Sequence, residues 1–238
     1  MNFEFTYTNL ELHYAQMQKN GYQIMTCKDY VTLKKLGQLT NKTVVNRIDI
    51  DFSIKKIIPL LEIYKRLRIK GSFFIRLHAA EYNAFAFENY KIIKQLITEG
   101  HELGYHSEII DQAAIWKEDA KNNLIRDLRV LESIFNTKIE GVASHGGQTG
   151  LNNLDFWKNH KPKDFDLLYE AYDTEPAFDL FNNSFYISDS EWTRWKCYKN
   201  GNLIENDYRT PTQHLLANHS LIYFLIHSDT YFHTHFYE

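Results

Sequence analysis

Along the chain, short apolar runs of strand length alternate with longer stretches whose apolar residues recur every three or four positions. Residues 9–37 read as helical and stop near Gly37. From there KTVVNRIDI (42–50) has the make-up of a buried strand. SIKKIIPLLEIYKRLRI (53–69) has helical spacing, with Ser53 at the N-cap position. KGSFFIRL (70–77) is a second strand opened by a glycine turn, and FENYKIIKQLITEG (87–100) a second amphipathic helix, with Gly100 where a helix stop belongs. HELGYH (101–106) makes a third strand, QAAIWKEDAKNNLIRDLRVLESIF (112–135) one long helix, and IEGVASHGG (139–147) a strand with its exit loop. The pattern then turns irregular, leaving DLLYEAY (166–172), SFYISDS (184–190) and SLIYFLIH (220–227) as further strands.

Alternation of strands and helices implies parallel strands with helices covering them. About seven strands of this kind suit an α/β fold of the distorted or partial (β/α) barrel type, whose site lies at the C-terminal ends of the strands. No repeat, low-complexity tract or proline- and glycine-rich linker interrupts the pattern, so residues 1–238 read as a single domain. The N-terminal helical segment, about residues 1–40, is expected to pack on it.

The strand ends carry the chemistry. Asp49 and Asp51 close the first strand, and residues two apart on a strand share a face. Two carboxylates side by side repel, and a bound cation is the common way to offset that. Later exits supply His78, His106, His145, Asp189 and His227, so four of the chain's 11 histidines fall at strand ends. Imidazole combined with carboxylate suits zinc or another divalent transition metal. His101 reads as a scaffold residue, Trp116 and Trp157 as helix-packing residues, and His233 and His235 as part of a terminal tail.

Composition narrows the partners. Aromatic residues reach 15%, which offers flat surfaces for sugar rings but equally fills a core. A net charge of −3 without a basic cluster argues against nucleic acid. Cys27 and Cys197 lack CxxC spacing, which argues against a disulfide framework or a thiolate zinc site and fits a reducing compartment. MNFEFTYTNLELHY has acids where a signal peptide needs a basic start and an apolar run, and no stretch approaches the length of a membrane span. The expectation is a cytoplasmic protein; oligomeric state is not legible.

In order, RIDIDFS (47–53), a helix, FF (73–74), a helix and GHELGYHS (100–107) resemble the polysaccharide deacetylase superfamily (NodB-homology, carbohydrate esterase 4). The match looks closest to the divergent branch that writes its first motif Asp-x-Asp and occurs in surface-polysaccharide gene sets. The resemblance runs from about residue 44 to 232. It implies Asp49 as general base and Asp51 as a metal ligand, with His106 a second ligand as the first histidine of the His-Ser/Thr-x-x-His motif. ASHGG (143–147) stands where the family has an Arg-x-Pro segment. YISDSEWTRW (186–195) resembles the Asp/Trp motif, with Asp189 an orienting carboxylate and Trp192 or Trp195 a wall of the acetyl pocket. LIHSDTYF (225–232) makes His227 the general acid.

One position departs from the family. Four residues after His106, where the second metal histidine belongs, stands Ile110. Either His145 or His78 replaces it, or the site binds metal weakly or has lost it altogether; Glu108 and Asp111 would need their loop to turn inward. His145 is favoured, because it sits at a strand exit beside Gly146 and Gly147. The resemblance thus implies metal-dependent hydrolysis of an N-acetyl, or O-acetyl, group on a carbohydrate, with zinc the first candidate cofactor. His78, Tyr82, Trp192 and Trp195 would face the substrate. Two other readings stay open: a catalytically degenerate sugar-binding protein on the same scaffold, supported by Ile110, and a glycosyltransferase whose Asp-x-Asp holds a divalent ion. The latter needs no later histidines, and the chain has no nucleotide-binding glycine loop.

Overall fold

In the computed structural model, which describes residues 3–238, every residue of strand β2 (Thr43–Ile50) is buried. Both its faces are covered, as in a parallel sheet wrapped by helices. Val44, Ile48 and Ile50 join an outer core, whereas Val45 joins an inner cluster. By the same alternation Arg47 and Asp49 face inward.

Around β2 the sheet grows on both sides. β1 (Gln23–Met25) pairs with its first residues, β3 (Ser72–Ile75) with its last, and β10 (Leu221–His227) along the other edge. β4 (Glu102–Ser107), β5 (Gly141–Ser144) and β6 (Tyr169–Glu170) continue beyond β3, and β7 (Phe185–Ser188) beyond β10, all parallel. A hairpin of β8 (Lys196–Lys199) and β9 (Asn202–Leu203) extends this edge antiparallel. The sheet runs β6-β5-β4-β3-β2-β10-β7-β8-β9, so it stays open between β6 and β7. Its curl brings those edges near each other: Tyr223 of β10 donates to Ala171 O at 3.2 Å, and the Tyr172 and Tyr186 hydroxyls lie 3.2 Å apart. The architecture is the expected partial α/β barrel, with two further antiparallel strands.

Helices α1 (Tyr7–Lys19), α3 (Ile57–Leu67), α4 (Phe87–Thr98) and α6 (Ala120–Phe135) bury their apolar faces in the outer core. α2 (Cys27–Lys35) packs Cys27, Tyr30 and Val31 into the inner cluster. Its first amides meet the start of the strands, Cys27 N donating to Ser72 Oγ and Lys28 N to Glu102 Oε2. This plugs the N-terminal mouth of the barrel and leaves the C-terminal mouth for the site. No helix among the described residues is long and apolar enough to cross a membrane.

Several local expectations are corrected. The helical reading of residues 9–37 conceals β1: Gly21 turns the chain at φ +82° and Thr26 restarts it by accepting from Asp29 N. The long helix at 112–135 is two helices, α5 (Ile109–Trp116) and α6. Lys117 adopts φ 60° between them, and Asp119 caps α6 by accepting from Asn122 N. Ser53 makes no capping bond; a 3-10 turn at Ile54–Lys56 leads into α3 instead. Pro59 falls in the first turn of α3, where a missing N–H costs little.

Candidate active site

Two residues before Asp49 on the inner face, Arg47 reaches toward it. Nε donates to Asp49 Oδ1 at 2.9 Å and Nη2 to Oδ2 at 2.7 Å, with both side chains buried. The guanidinium also stacks over Tyr172 and Phe74, 4.9 and 5.6 Å from their ring centroids. Burial alone would push the Asp49 carboxyl up, but the Arg47 charge outweighs it and holds the group below the usual carboxylate range. Sequence reasoning passed over Arg47, although a charge two residues before Asp49 in an apolar strand was the signal for it.

Asp51, just past β2, faces two imidazoles. His106 Nε2 of β4 lies 3.3 Å from Asp51 Oδ1, and His145 Nε2, beyond β5, lies 4.0 Å from the same oxygen. His106 Nδ1 donates to Ala143 O at 2.8 Å, which aims Nε2 at the Asp49 and Asp51 carboxylates, 3.3 Å from each; a bound cation would take the Nε2 lone pair in place of a proton. Asp51 Oδ1 is buried without a hydrogen-bond partner among the described residues. One donor atom from each of Asp51, His106 and His145 lies within 4.8 Å of the others. Two imidazoles and a carboxylate around an orphaned buried oxygen are a donor set that fits a divalent cation such as zinc. Burial raises the Asp51 carboxyl, yet His106 and the other imidazoles bring it well below its ordinary range.

The loop carrying His145 is anchored from α5. Asp111 accepts from Gln148 N, Thr149 N, Thr149 Oγ1 and Asn153 Nδ2 at 2.6–3.0 Å. Glu108, paired with Arg76 Nη2 at 2.8 Å, lies 3.3 Å from His145 Nδ1. A Cβ on Gly147 would stand 1.7 Å from Leu151 O, so only glycine permits this turn. Glu108 and Asp111 thus support the loop, while Ile110 packs against the outer core.

Opposite these residues, His227 ends β10. Its Nδ1 lies 2.6 Å from Asp189 Oδ1, and its backbone N donates to both Asp189 oxygens at 3.0 Å. Nε2 is left facing the site, 4.0 Å from Asp51 Oδ2. Burial would lower the ring's pKa, but Asp189, Asp49 and Asp51 raise it to about 9. Trp192 lies 5.6 Å from the His227 ring, its backbone held at φ 62°, a region bulky residues seldom occupy.

Arg47, Asp49, Asp51, His106, His145 and His227 line a cavity of about 330 Å³, at the small end for ligand pockets, and Trp192 stands outside its lining. Its walls are Tyr172, Phe181, Tyr186 and Tyr198, which the irregular sequence of this region did not reveal. Three expected substrate residues stand elsewhere. His78 bonds Asp127 on α6 at 2.9 Å, because β3 ends three residues earlier and the loop carries it outward. Tyr82 is spent bracing two strand ends, donating to Ile50 O at 2.9 Å and accepting from Arg76 N at 2.7 Å. Trp195 is buried beside Phe5 and Phe224, its Nε1 donating to Glu4 at 3.0 Å.

No family model matches the chain, and no curated protein matches it significantly. Solved structures that resemble it include a CE4-family pseudoenzyme from Bacillus anthracis, with a TM-score of 0.46 and 18% identity over 79% of this chain and 56% of that one. A polysaccharide deacetylase from Bacillus cereus gives a TM-score of 0.48 and 16% identity over 78% of each chain. The chitin deacetylase of the fungal pathogen Colletotrichum lindemuthianum gives 0.32 and 18% over 44% of this chain and 46% of that one. The chain therefore spans just over half the length of the first protein and under half of the third. At such identities and scores the likeness adds nothing to the assignment of residues, which rests on this chain's own geometry.

Proposed function

We propose that the chain is a metal-dependent hydrolase that removes an N-acetyl group, with O-acetyl as the alternative, from a carbohydrate. One observation carries the reading: groups from four strand ends (Asp49 and Asp51, His106, His145, His227) converge on one cavity around a buried, unpartnered Asp51 oxygen. Asp51, His106 and His145 would hold a divalent cation, zinc first, which when bound polarises an acyl oxygen and acidifies water.

The chain's own groups do the rest. Asp49, kept ionised by Arg47, accepts one bond from it on each oxygen, with His106 Nε2 a further 3.3 Å from Oδ2, and takes the proton of the attacking water through Oδ1. His227, its Nδ1 committed to Asp189, presents Nε2–H to the departing amine. Without that proton the amine is a poor leaving group, so a second acid–base residue is required. The aromatic wall suits the apolar face of a sugar ring.

A second reading, a sugar-binding protein on a degenerate scaffold, draws support from the Arg47 pair, which makes Asp49 a weaker base than a free carboxylate. One experiment separates the two. The protein, reconstituted with zinc or cobalt, is incubated with N-acetylglucosamine oligosaccharides and an O-acetylated sugar, and acetate is quantified. Acetate release by wild type, absent from Asp49→Asn that still holds metal, is the expected result. Calorimetric sugar binding without acetate release would favour the binding protein; neither binding nor release would overturn both.

A further inference from the structure

Alternate residues of a strand face opposite ways, and β8 sends Tyr198 to the inner cluster and Cys197 to the outer core. Cys197 therefore lies on the side of β8 turned away from the cavity. There it meets two residues of the segment that follows the β8–β9 hairpin. Its Sγ is 3.2 Å from His214 Nε2, and Asp207 Oδ1 is 3.5 Å from the same nitrogen. One donor atom from each of the three lies within 4.8 Å of the others. His214 is fully buried, and only 8% of the Asp207 side chain is exposed.

Two familiar uses of such a trio do not account for this arrangement. In a nucleophile triad the carboxylate holds the imidazole nitrogen opposite the one facing the thiol. Here sulfur and carboxylate converge on one nitrogen, and Nδ1 is buried without a partner among the described residues. In a hydrogen-bonded trio a neutral Nε2 carries at most one hydrogen, enough for one of its two neighbours. A cation satisfies all three donors at once. Metal bonds of about 2.0–2.3 Å at tetrahedral angles place ligand atoms about 3.3–3.8 Å apart, close to the 3.2 and 3.5 Å that separate His214 Nε2 from sulfur and carboxylate. Arg209 donates to Asp207 Oδ1 from Nε at 2.9 Å and from its backbone N at 3.3 Å, and to Oδ2 from Nη2 at 2.7 Å, which fixes the carboxylate and leaves a lone-pair site on Oδ2.

We propose that Cys197, Asp207 and His214 form a second metal site, for a thiophilic divalent cation with zinc as first choice. Sulfur, imidazole and carboxylate together are a set that zinc accepts, and the fourth position is left to water. On binding, the S–H bond breaks, the proton passes to solvent and the sulfur–metal bond forms. The site fastens the segment after β9 to the back of the strand that carries Tyr198, one wall of the cavity. Its ligands stand 10 and 7 residues apart in an irregular stretch, which is why the absence of CxxC spacing concealed it.

Cobalt tests this, because a thiolate–cobalt bond absorbs in the near ultraviolet and the candidate active site contains no sulfur. The intact chain, stripped of metal, is titrated with cobalt(II). The expected result is a charge-transfer band, displaced by zinc, that saturates at one equivalent in Asp51→Ala and by two equivalents in wild type and in Cys27→Ser. Cys197→Ser should lack the band, and His214→Gln should bind at least tenfold more weakly, with circular dichroism showing that both are folded. Wild type without the band at excess cobalt would overturn the proposal whatever the variants do, and so would a band that survives in Cys197→Ser.

Discussion

Replacing Arg47 by methionine tests how the barrel tolerates a carboxylate in its interior. Arg47 is 1% exposed and Asp49 2%, and two charge-assisted hydrogen bonds of 2.9 and 2.7 Å join them. Arg47→Met removes both bonds while a flexible apolar chain fills much of the space. The loss is then that of a buried charge deprived of its partner, about 3–5 kcal/mol. That is a large share of the roughly 5–15 kcal/mol by which domains are stable. With a urea dependence of about 3 kcal/mol per molar, the unfolding midpoint falls by about 1–1.7 M. Urea titration followed by tryptophan fluorescence and circular dichroism measures it. Arg47→Met/Asp49→Leu leaves no unpaired charge and should recover at least half of the loss. A single-variant loss below about 1 kcal/mol would refute the tight buried pair. A double variant no better than the single would show that packing, not unpaired charge, sets the cost.

Further outcomes follow from other sites. Burial, with Lys70 nearby, lowers the His101 pKa to about 4; Gly71 N donates to its Nδ1, and Glu99 lies 4.0 Å from Nε2. A depressed histidine pKa means the unfolded chain takes the proton first. This contribution is therefore complete above pH ~6.5 and is lost as pH falls toward ~4, amounting to about 3 kcal/mol. His101→Gln should flatten the stability curve between those values; an unchanged slope would contradict the assignment. Gly147→Ala places a Cβ against Leu151 O and should weaken metal binding at Asp51, His106 and His145 at least tenfold by titration, with the helical content unchanged. Unaltered affinity would mean that the loop does not set the position of His145. His227→Ala should lower acetate release by about 10²–10⁴ while metal stays bound, and Asp189→Asn should lower it less. Full activity in His227→Ala would remove it from the acid role.

How far the sequence reached depends on what local pattern can carry. Strand and helical runs made the parallel α/β sheet legible, because burial on both faces imposes continuous apolar strands such as Leu221 to Ile226. Polar residues at the ends of such strands stood out for the same reason, so Asp49, Asp51, His106, His145 and His227 could be named, and the structure gathers them around one cavity. His78 shows the limit: β3 ends at Ile75, and nothing local says that the loop then carries the imidazole to Asp127. Trp195 failed similarly, since an aromatic beside an Asp/Trp motif serves a core as well as a pocket. Tyr172, Phe181, Tyr186 and Tyr198 come from the stretch without clear periodicity, where long-range packing alone decides which residues face inward.

The central claim is that Asp51, His106 and His145 hold a divalent cation at the mouth of the barrel. Metal content by mass spectrometry tests it most directly, on protein purified without chelators and carrying Cys197→Ser so that only this site is counted. The expected result is close to one equivalent of zinc or a related metal, lost when Asp51→Ala or His106→Ala is added. No metal after reconstitution with zinc or cobalt, or metal undiminished by either added substitution, would contradict the claim.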